Sequence, residues 1–144
     1  MSSCDDQHSG IRFLPVCDIV SMNRRMLELT PNEPHAIINQ AGLESAQCRP
    51  AQHRSYAQTE DIFTLAAVLG SALVGNHCFA NANKRTAAGC VFDFLMINGW
   101  ELTAPGDEVV AMYLGLATHE YSDEEFADWL AYWSREYDTS KLND

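Results

Sequence analysis

The residues best suited to chemistry lie close together, in residues 77–86 with the sequence HCFANANKRT. His77 can act as a general base, because an unperturbed imidazole is mostly neutral near pH 7. Lys84 offers a compact positive charge and Arg85 a forked one. These two are the only Lys or Arg residues between positions 55 and 134, a stretch with eleven Asp and Glu residues. A cation pair in such an acidic setting indicates a dedicated anion site.

This segment is expected to join two helices. Residues 62–74 are apolar at almost every position, which predicts a buried helix, and the apolar stripe that follows predicts a second helix over residues 83–98. The first amides of a helix lack intrahelical partners and lie at the positive end of its dipole, so they bind phosphate readily. Ala82 is small enough to let an anion approach these amides, and Asn83 can anchor the turn or a phosphate oxygen. A base, an anion cradle and cationic clamps are the parts that phosphoryl transfer needs.

The outer parts of the chain predict more helices. Helical spacing of apolar residues predicts helices over residues 16–29 and 107–117. Ser122 and Glu125 form a capping box for a last helix. No long alternating run indicates a sheet.

Residues 35–58 predict short elements. An extended piece and a short helix are expected before Arg49-Pro50, which should end them, and the polar residues 51–58 predict a loop or a small hairpin. The predicted fold class is therefore all-α, with about six helices and room for one small β-hairpin. We expect a single domain over residues 1–144, with residues 1–11 and 137–144 as flexible ends.

Composition excludes several classes of function. The chain has 144 residues, 47% of them hydrophobic, which is enough for a folded core. Its net charge of −11 disfavours nucleic acid and anionic lipid, which bind mainly through their phosphates. Neither a signal peptide nor a run of about 18 apolar residues is apparent, so no membrane span is expected. Five cysteines without a Cys-x-x-Cys pair predict reduced thiols and a cytoplasmic location.

The segment resembles a known signature. His-x-Phe-x-(Asp/Asn)-(Ala/Gly)-Asn-Lys-Arg is similar to the motif of the Fic/Doc superfamily, and the Lys-Arg ending is the form found in its death-on-curing (Doc) branch. The resemblance covers roughly residues 35–102. It implies a Fic/Doc-like helical bundle with a flap that aligns the target beside the site, here at residues 51–58.

The resemblance also implies a role for each residue of the motif. His77 would deprotonate a hydroxyl of the target, and Phe79 would anchor the loop in the core. Asn81 stands where the family usually has an acid that contacts Mg²⁺; an amide oxygen is still a hard ligand, but it adds no charge. The phosphates of ATP, the co-substrate, would be held by four consecutive residues, Ala82, Asn83, Lys84 and Arg85.

Two positions favour phosphate transfer over nucleotide transfer. Adenylyl-transferring Fic enzymes have Gly where this chain has Lys84, and a second Arg where it has Ala88. The Doc branch implies an inverted nucleotide, whose γ-phosphate goes to a Ser or Thr of a translation factor such as a protein similar to elongation factor Tu. The expected function is thus a protein kinase that acts as the toxin of a toxin–antitoxin pair. The chain lacks the (Ser/Thr)-x-x-x-Glu-(Gly/Asn) string of self-inhibited relatives, so an antitoxin-like protein would inhibit it in trans.

Two alternatives remain at this point. The same fold could transfer AMP to a protein hydroxyl, or it could bind a nucleotide or partner without turnover, because Asn81 replaces the usual acid. A thiol mechanism at Cys78 is disfavoured, since adjacent side chains such as His77 and Cys78 point apart.

Overall fold

The computed structural model describes residues 10–143, and residues 1–9 and 144 lie outside the described part. The described elements follow the order α1 (Val16–Leu27), α2 (Gln40–Ala57), α3 (Ile62–Gly75), α4 (Asn83–Ile97), β1 (Trp100–Leu102), α5 (Gly106–Ala117), α6 (Asp123–Trp133), β2 (Ser134–Glu136) and a 3₁₀ helix (Thr139–Asn143). The predicted all-α fold with about six helices is confirmed.

Helix α3 lies at the centre of the fold. It contacts α2, α4, α5 and α6, as expected for a helix that is apolar on every side. Gly70 allows one of these contacts, because a Cβ atom there would lie 2.8 Å from the Phe126 ring of α6. The buried side chains of the helices form one continuous cluster around α3. The predicted helix over residues 62–74 is thus present and buried.

Residues 51–58 correct the sequence prediction. The expected loop or hairpin flap is wrong for this segment, because α2 continues through Pro50 to Ala57. Its C-cap residue, Gln58, has a left-handed backbone with φ 52°. A proline inside a helix costs about 3 kcal/mol, since it lacks an N–H and its ring crowds the preceding turn. Pro50 is itself buried, and α2 packs against α1 and α3. This packing offsets the local cost.

A small sheet is present elsewhere in the chain. Strand β1 pairs antiparallel with β2, with Trp100 opposite Glu136 and Leu102 opposite Ser134. The Arg135 Nε donates to Glu101 Oε1 over 2.7 Å. The two strands are separated in the chain by α5 and α6, so they do not form a hairpin.

Several other expectations concern the ends of the chain and its cysteines. No helix in the described residues is both long and apolar enough to cross a membrane. Residues 139–143 form the 3₁₀ helix, while most of the other predicted flexible end lies outside the described part.

The cysteines differ in their bonding. Cys17, Cys78 and Cys90 are free thiols. Cys48 is disulfide-bonded, so the prediction of reduced thiols throughout is wrong at this residue.

Candidate functional site

The loop between α3 and α4 is held by residues 36–39. An isolated antiparallel bridge pairs Ile37 with Phe79. The Ile38 N–H donates to Cys78 O over 2.9 Å, and the Ala80 N–H donates to Ala36 O over 2.9 Å. The short extended piece expected after residue 35 therefore exists, and it fixes the backbone of the candidate loop.

Phe79 and Asn83 close the loop. The Phe79 side chain is only 2% exposed and lies in the core. The Asn83 side chain accepts a hydrogen bond from Phe79 N–H over 3.0 Å and donates one to Phe79 O over 2.8 Å. These two bonds make the Asn83 side chain part of the loop structure, so its contact to a phosphate is expected from its backbone N–H or from the second hydrogen of its Nδ2.

The start of α4 has the geometry of an anion cradle. Ala82 is its N-cap residue, with a left-handed backbone of φ 65° and ψ 32°, and no side chain caps the helix. The Thr86 N–H makes the first helical bond, to Ala82 O over 2.9 Å. The amides before Thr86 therefore remain at the positive end of the helix dipole, where an anion binds most readily.

Asn23, a residue that the sequence analysis did not identify, holds the loop between α3 and α4 in place. It is fully buried in α1. Its Nδ2 donates to Asn81 O over 2.9 Å and to Thr86 Oγ1 over 3.0 Å. Its Oδ1 lies 2.7 Å from His35 Nδ1. Since both Nδ2 hydrogens are used and an amide oxygen only accepts, His35 carries its hydrogen on Nδ1.

His35 completes this network. Its ring lies against Phe79, with 5.9 Å between ring centroids. Burial, followed by the positive charge of Arg24, lowers the pKa of His35 below its ordinary value. Asn23 could have been found from the sequence, because it lies four residues after Ile19, on the apolar face of its helix. A buried Asn on such a face needs hydrogen-bond partners.

Asn81 has a free oxygen. Its Nδ2 donates to Pro34 O over 3.1 Å, which orients the side chain, and its Oδ1 has no hydrogen-bond partner among residues 10–143. No group of three or more His, Cys, Asp or Glu side chains in the described residues could hold a metal ion. Asn81 therefore fits Mg²⁺ as a single neutral oxygen ligand, and the other ligands would have to come from phosphates and water.

Arg85 binds the end of α1. Its Nη1 donates to Met26 O over 2.9 Å, and its Nη2 donates to Thr30 Oγ1 over 3.0 Å and to Glu33 Oε1 over 2.9 Å. Three of the five guanidinium N–H donors are thus used. The Arg85 and Glu33 side chains are 33% and 43% exposed. An ion pair with this exposure contributes about 0–1 kcal/mol, so an anionic ligand can compete with Glu33 at little cost.

Lys84 differs from Arg85. It is exposed and has no ion-pair or hydrogen-bond partner in the described part of the chain. It lies at the edge of a cleft of about 170 Å³ between α4 and α5, where Ala88, Val110 and Leu114 present apolar surface. Lys84 is therefore the cation at this helix start that is free to bind an incoming anion.

His77 lies next to the point where the start of α2 is hydrogen-bonded to the end of α3. Asn39 caps α2 by accepting the Gly42 N–H over 2.9 Å, and its Nδ2 donates to Asn76 O over 2.8 Å. The Asn76 Nδ2 donates back to Gly42 O over 2.9 Å. His77 follows directly, exposed and with a left-handed backbone of φ 48°. Its imidazole has no hydrogen-bond partner among residues 10–143 and lines a cavity of about 320 Å³.

The neighbouring thiol is unsuited to catalysis. Cys78 is buried, and burial raises its pKa to about 11. A thiolate, the nucleophilic form, is therefore scarce near neutral pH. Within the loop, His77 is the residue able to accept a proton.

This arrangement can be compared with known families. The profile of the Fic/DOC family matches residues 13–95, more than half of the chain. The chain belongs to the Fic/DOC family. Members of this family generally transfer nucleotide-derived groups from ATP to proteins, generally with a metal ion. No curated protein matches the chain significantly.

Proposed function

We propose that this Fic/DOC protein is a Doc-like protein kinase that transfers the γ-phosphate of ATP to a Ser or Thr hydroxyl of a protein in the cytoplasm. The observation that carries the proposal is the surroundings of Lys84. An adenylyl-transferring site needs a second Arg at the position of Ala88, and in this protein Ala88 lines an apolar cleft with Val110 and Leu114. The cationic groups at the start of α4 are Lys84 and Arg85, which supports a different placement of the triphosphate.

Each group of the loop has a part in the proposed transfer. His77 takes the proton of the target hydroxyl, and the hydroxyl oxygen forms a bond to the γ-phosphorus while the bond from that phosphorus to the β-phosphate oxygen breaks, so that ADP leaves. Lys84 and the first amides of α4 stabilise the negative charge on the phosphates. The exposed His77 and the uncapped helix start, which flank the same short loop, support this division of roles.

Arg85 joins the phosphate site by exchanging one partner. Its Nη1 would stay on Met26 O, which holds the guanidinium in place, while a phosphate oxygen replaces Glu33. A phosphate carries more charge than a carboxylate, so it is the stronger ligand for the guanidinium fork. Asn81 is the residue that would hold Mg²⁺, which supplies positive charge to the phosphates when bound.

We also propose that the chain is the toxin of a toxin–antitoxin pair. Its inhibitor would place an amphipathic segment in the cleft between α4 and α5, where Val110 is 61% and Leu114 50% exposed. Lys84 at the edge of this cleft would pair with an acidic residue of that segment. A protein that inhibits transfer by the wild type, and fails to inhibit a Leu114→Glu variant of equal activity, would support this proposal.

The decisive experiment is incubation of lysate with γ-labelled and α-labelled ATP in parallel. Transfer of label to protein from γ-labelled ATP, and not from α-labelled ATP, supports the kinase. The labelled protein band is then identified, and elongation factor Tu is the first candidate to check. Label from α-ATP alone would replace the proposal with AMP transfer, and absence of both labels would leave a binding module. The matched control is His77→Asn, because Asn tolerates a left-handed backbone and removes the imidazole.

A further inference from the structure

Two helices of this protein end in the same unusual way. The residue after the C-cap is His77 in α3 and His119 in α5, and both have left-handed backbones, with φ 48° and 61°. At His119 the hydrogen bonds are those of a Schellman motif: its N–H donates to Leu116 O, and the next N–H donates to Gly115 O. Glycine is the usual residue there, because a Cβ atom strains this conformation. Both histidines therefore occupy positions where glycine would be more stable.

The two histidines line one cavity. It has a volume of about 320 Å³ and lies between the ends of α3 and α5 and the start of α6. Ser71 and Asp123 are among its other polar residues. The Ser71 Oγ is buried and has no hydrogen-bond partner among the described residues. An occupant of the cavity could supply that missing partner.

The charge of the cavity selects its occupant. Asp123 is the one acidic residue that lines it, and no Lys or Arg of the described chain does so. Its other polar residues are Ser71, Tyr121 and the two histidines, whose hydroxyls and neutral imidazoles can both donate and accept a hydrogen bond. The negative charge of Asp123 disfavours the phosphates of ATP in this cavity and favours a cationic hydrogen-bond donor.

We propose that this cavity binds a basic side chain of the protein substrate, Arg or Lys, close to the hydroxyl that His77 deprotonates. The proposal rests on the function proposed above and names the substrate class of the same site. Asp123 pairs with the cation, while His119 and Ser71 accept its remaining hydrogens. The basic side chain of the substrate would thus bind in the cavity with Asp123, and the phosphates of the nucleotide would bind at the start of α4 with Lys84.

Binding can be tested without any transfer activity. The probe is Nα-acetyl-arginine methylamide, and its controls are the uncharged citrulline analogue and the glutamate analogue. We expect saturable shifts of the His77 and His119 ring resonances in NMR spectra with the arginine probe, at least about tenfold tighter than with citrulline. Asp123→Asn should remove this preference. Equal binding of arginine and citrulline, or no saturable shift with arginine, would overturn the proposal even if the protein is a kinase.

Stability separates this role from a structural one. His119→Gly removes a strained Cβ, so it should raise the melting temperature by a few degrees, while it raises KM for Arg-containing acceptor peptides and leaves ATP affinity unchanged. The matched control is Gln58→Gly, which relieves the same kind of strain at the far end of α2. The 18 residues of α2 place Gln58 about 27 Å from Asn39, which lies at the other end of the helix and bonds to Asn76 beside His77. A stabilised His119→Gly with the KM of Gln58→Gly would show that His119 has no part in substrate binding.

Peptide transfer provides the second readout. A library of Ser and Thr peptides, labelled from ATP by the wild type, should be enriched in Arg or Lys near the acceptor, and Asp123→Asn should lose that enrichment. Labelled peptides without a basic preference would overturn the cavity proposal and leave the kinase intact. If no peptide or protein is labelled, the proposed function fails, and the arginine probe still decides whether the cavity recognises a cation.

Discussion

The candidate loop and its two flanks use their side chains in opposite ways. In the loop, Asn81 binds the backbone of Pro34, Asn83 binds the backbone of Phe79, and Phe79 is buried. In the flanks, His77 and Lys84 are exposed and have no partner in the described residues. The difference shows that one short motif holds two kinds of residue, those that shape the loop and those that are free for chemistry. Substitutions should separate the two kinds.

The largest expected effect is on activity, at His77. His77→Asn should reduce transfer by about 10²–10⁴-fold, because it removes the general base from the chemical step. Thermal stability and ATP affinity should stay close to the wild type, since the imidazole bonds to nothing in the described fold. Single-turnover kinetics and circular dichroism measure both. Full residual transfer would remove His77 from the mechanism.

The two cations should differ in what they affect. Lys84→Ala should weaken ATP binding by about 1.5–3 kcal/mol, the value of a charge-assisted hydrogen bond, without a change in melting temperature. Arg85→Ala should weaken ATP binding and also lower stability, because Met26 O and Thr30 lose their partner. Calorimetric titration with a non-hydrolysable ATP analogue and a melting curve distinguish the variants. Unchanged ATP affinity in both would mean that the pair is only a solvated helix start.

The loop itself should respond mainly in stability. Asn83→Ala leaves the N–H and C=O of buried Phe79 without partners, which should lower the free energy of unfolding by about 1–3 kcal/mol. Asn98→Ala is a useful comparison, since that side chain makes similar bonds to Arg12 and Phe94 away from the loop. Urea denaturation measures both. Equal stability of wild type and Asn83→Ala would contradict the structural role of Asn83.

Asn81 belongs to both kinds of residue, because its Nδ2 helps to shape the loop while its Oδ1 is free to bind a metal ion. Asn81→Asp should lower the Mg²⁺ concentration needed for half-maximal activity, because a carboxylate adds charge to a hard oxygen ligand. It also loses the bond to Pro34 O, so a small loss of stability should accompany it. A Mg²⁺ titration at fixed ATP gives the result. Equal activity of both proteins in excess chelator would remove the metal from the mechanism.

The smallest effect is expected at Glu33. Glu33→Gln removes the carboxylate that competes with phosphate for Arg85, and the exposed ion pair contributes only about 0–1 kcal/mol. ATP affinity should therefore rise, by no more than about fivefold. Glu60→Gln, which removes the exposed partner of Arg54, is the matched control. A loss of ATP affinity in Glu33→Gln would show that Glu33 helps Arg85 to bind phosphate.

The sequence predicted the helices that carry their own signals. Apolar periodicity located α3 and α4, and the Ser122–Glu125 capping box located α6. It failed at α2, because Pro50 and the polar residues after it look like a loop, whereas Pro50 is buried and the helix packs against α1 and α3. Local patterns do not include such contacts.

The sequence predicted which residues form the candidate site, but it did not predict most of the contacts that hold them. The segment 77–86 predicted which residues meet at the loop, because they are close in the chain. It could not predict that Arg85 binds Glu33 and Met26, or that Asn23 holds the loop, because these pairs lie more than 50 residues apart in sequence. The sequence also did not connect His119 with His77, because only the fold brings the end of α5 to the cavity that both residues line.

The reciprocal bonds between Asn39, Gly42 and Asn76 have a consequence for the motion of the site. They tie the start of α2 to the end of α3 one residue before His77, so the base is attached to two helices whose fluctuations must agree. Much of the backbone conformational entropy of His77 is therefore lost when the protein folds rather than when a substrate binds. For the proposed base, only the rotation of the imidazole is left to be fixed when a substrate arrives.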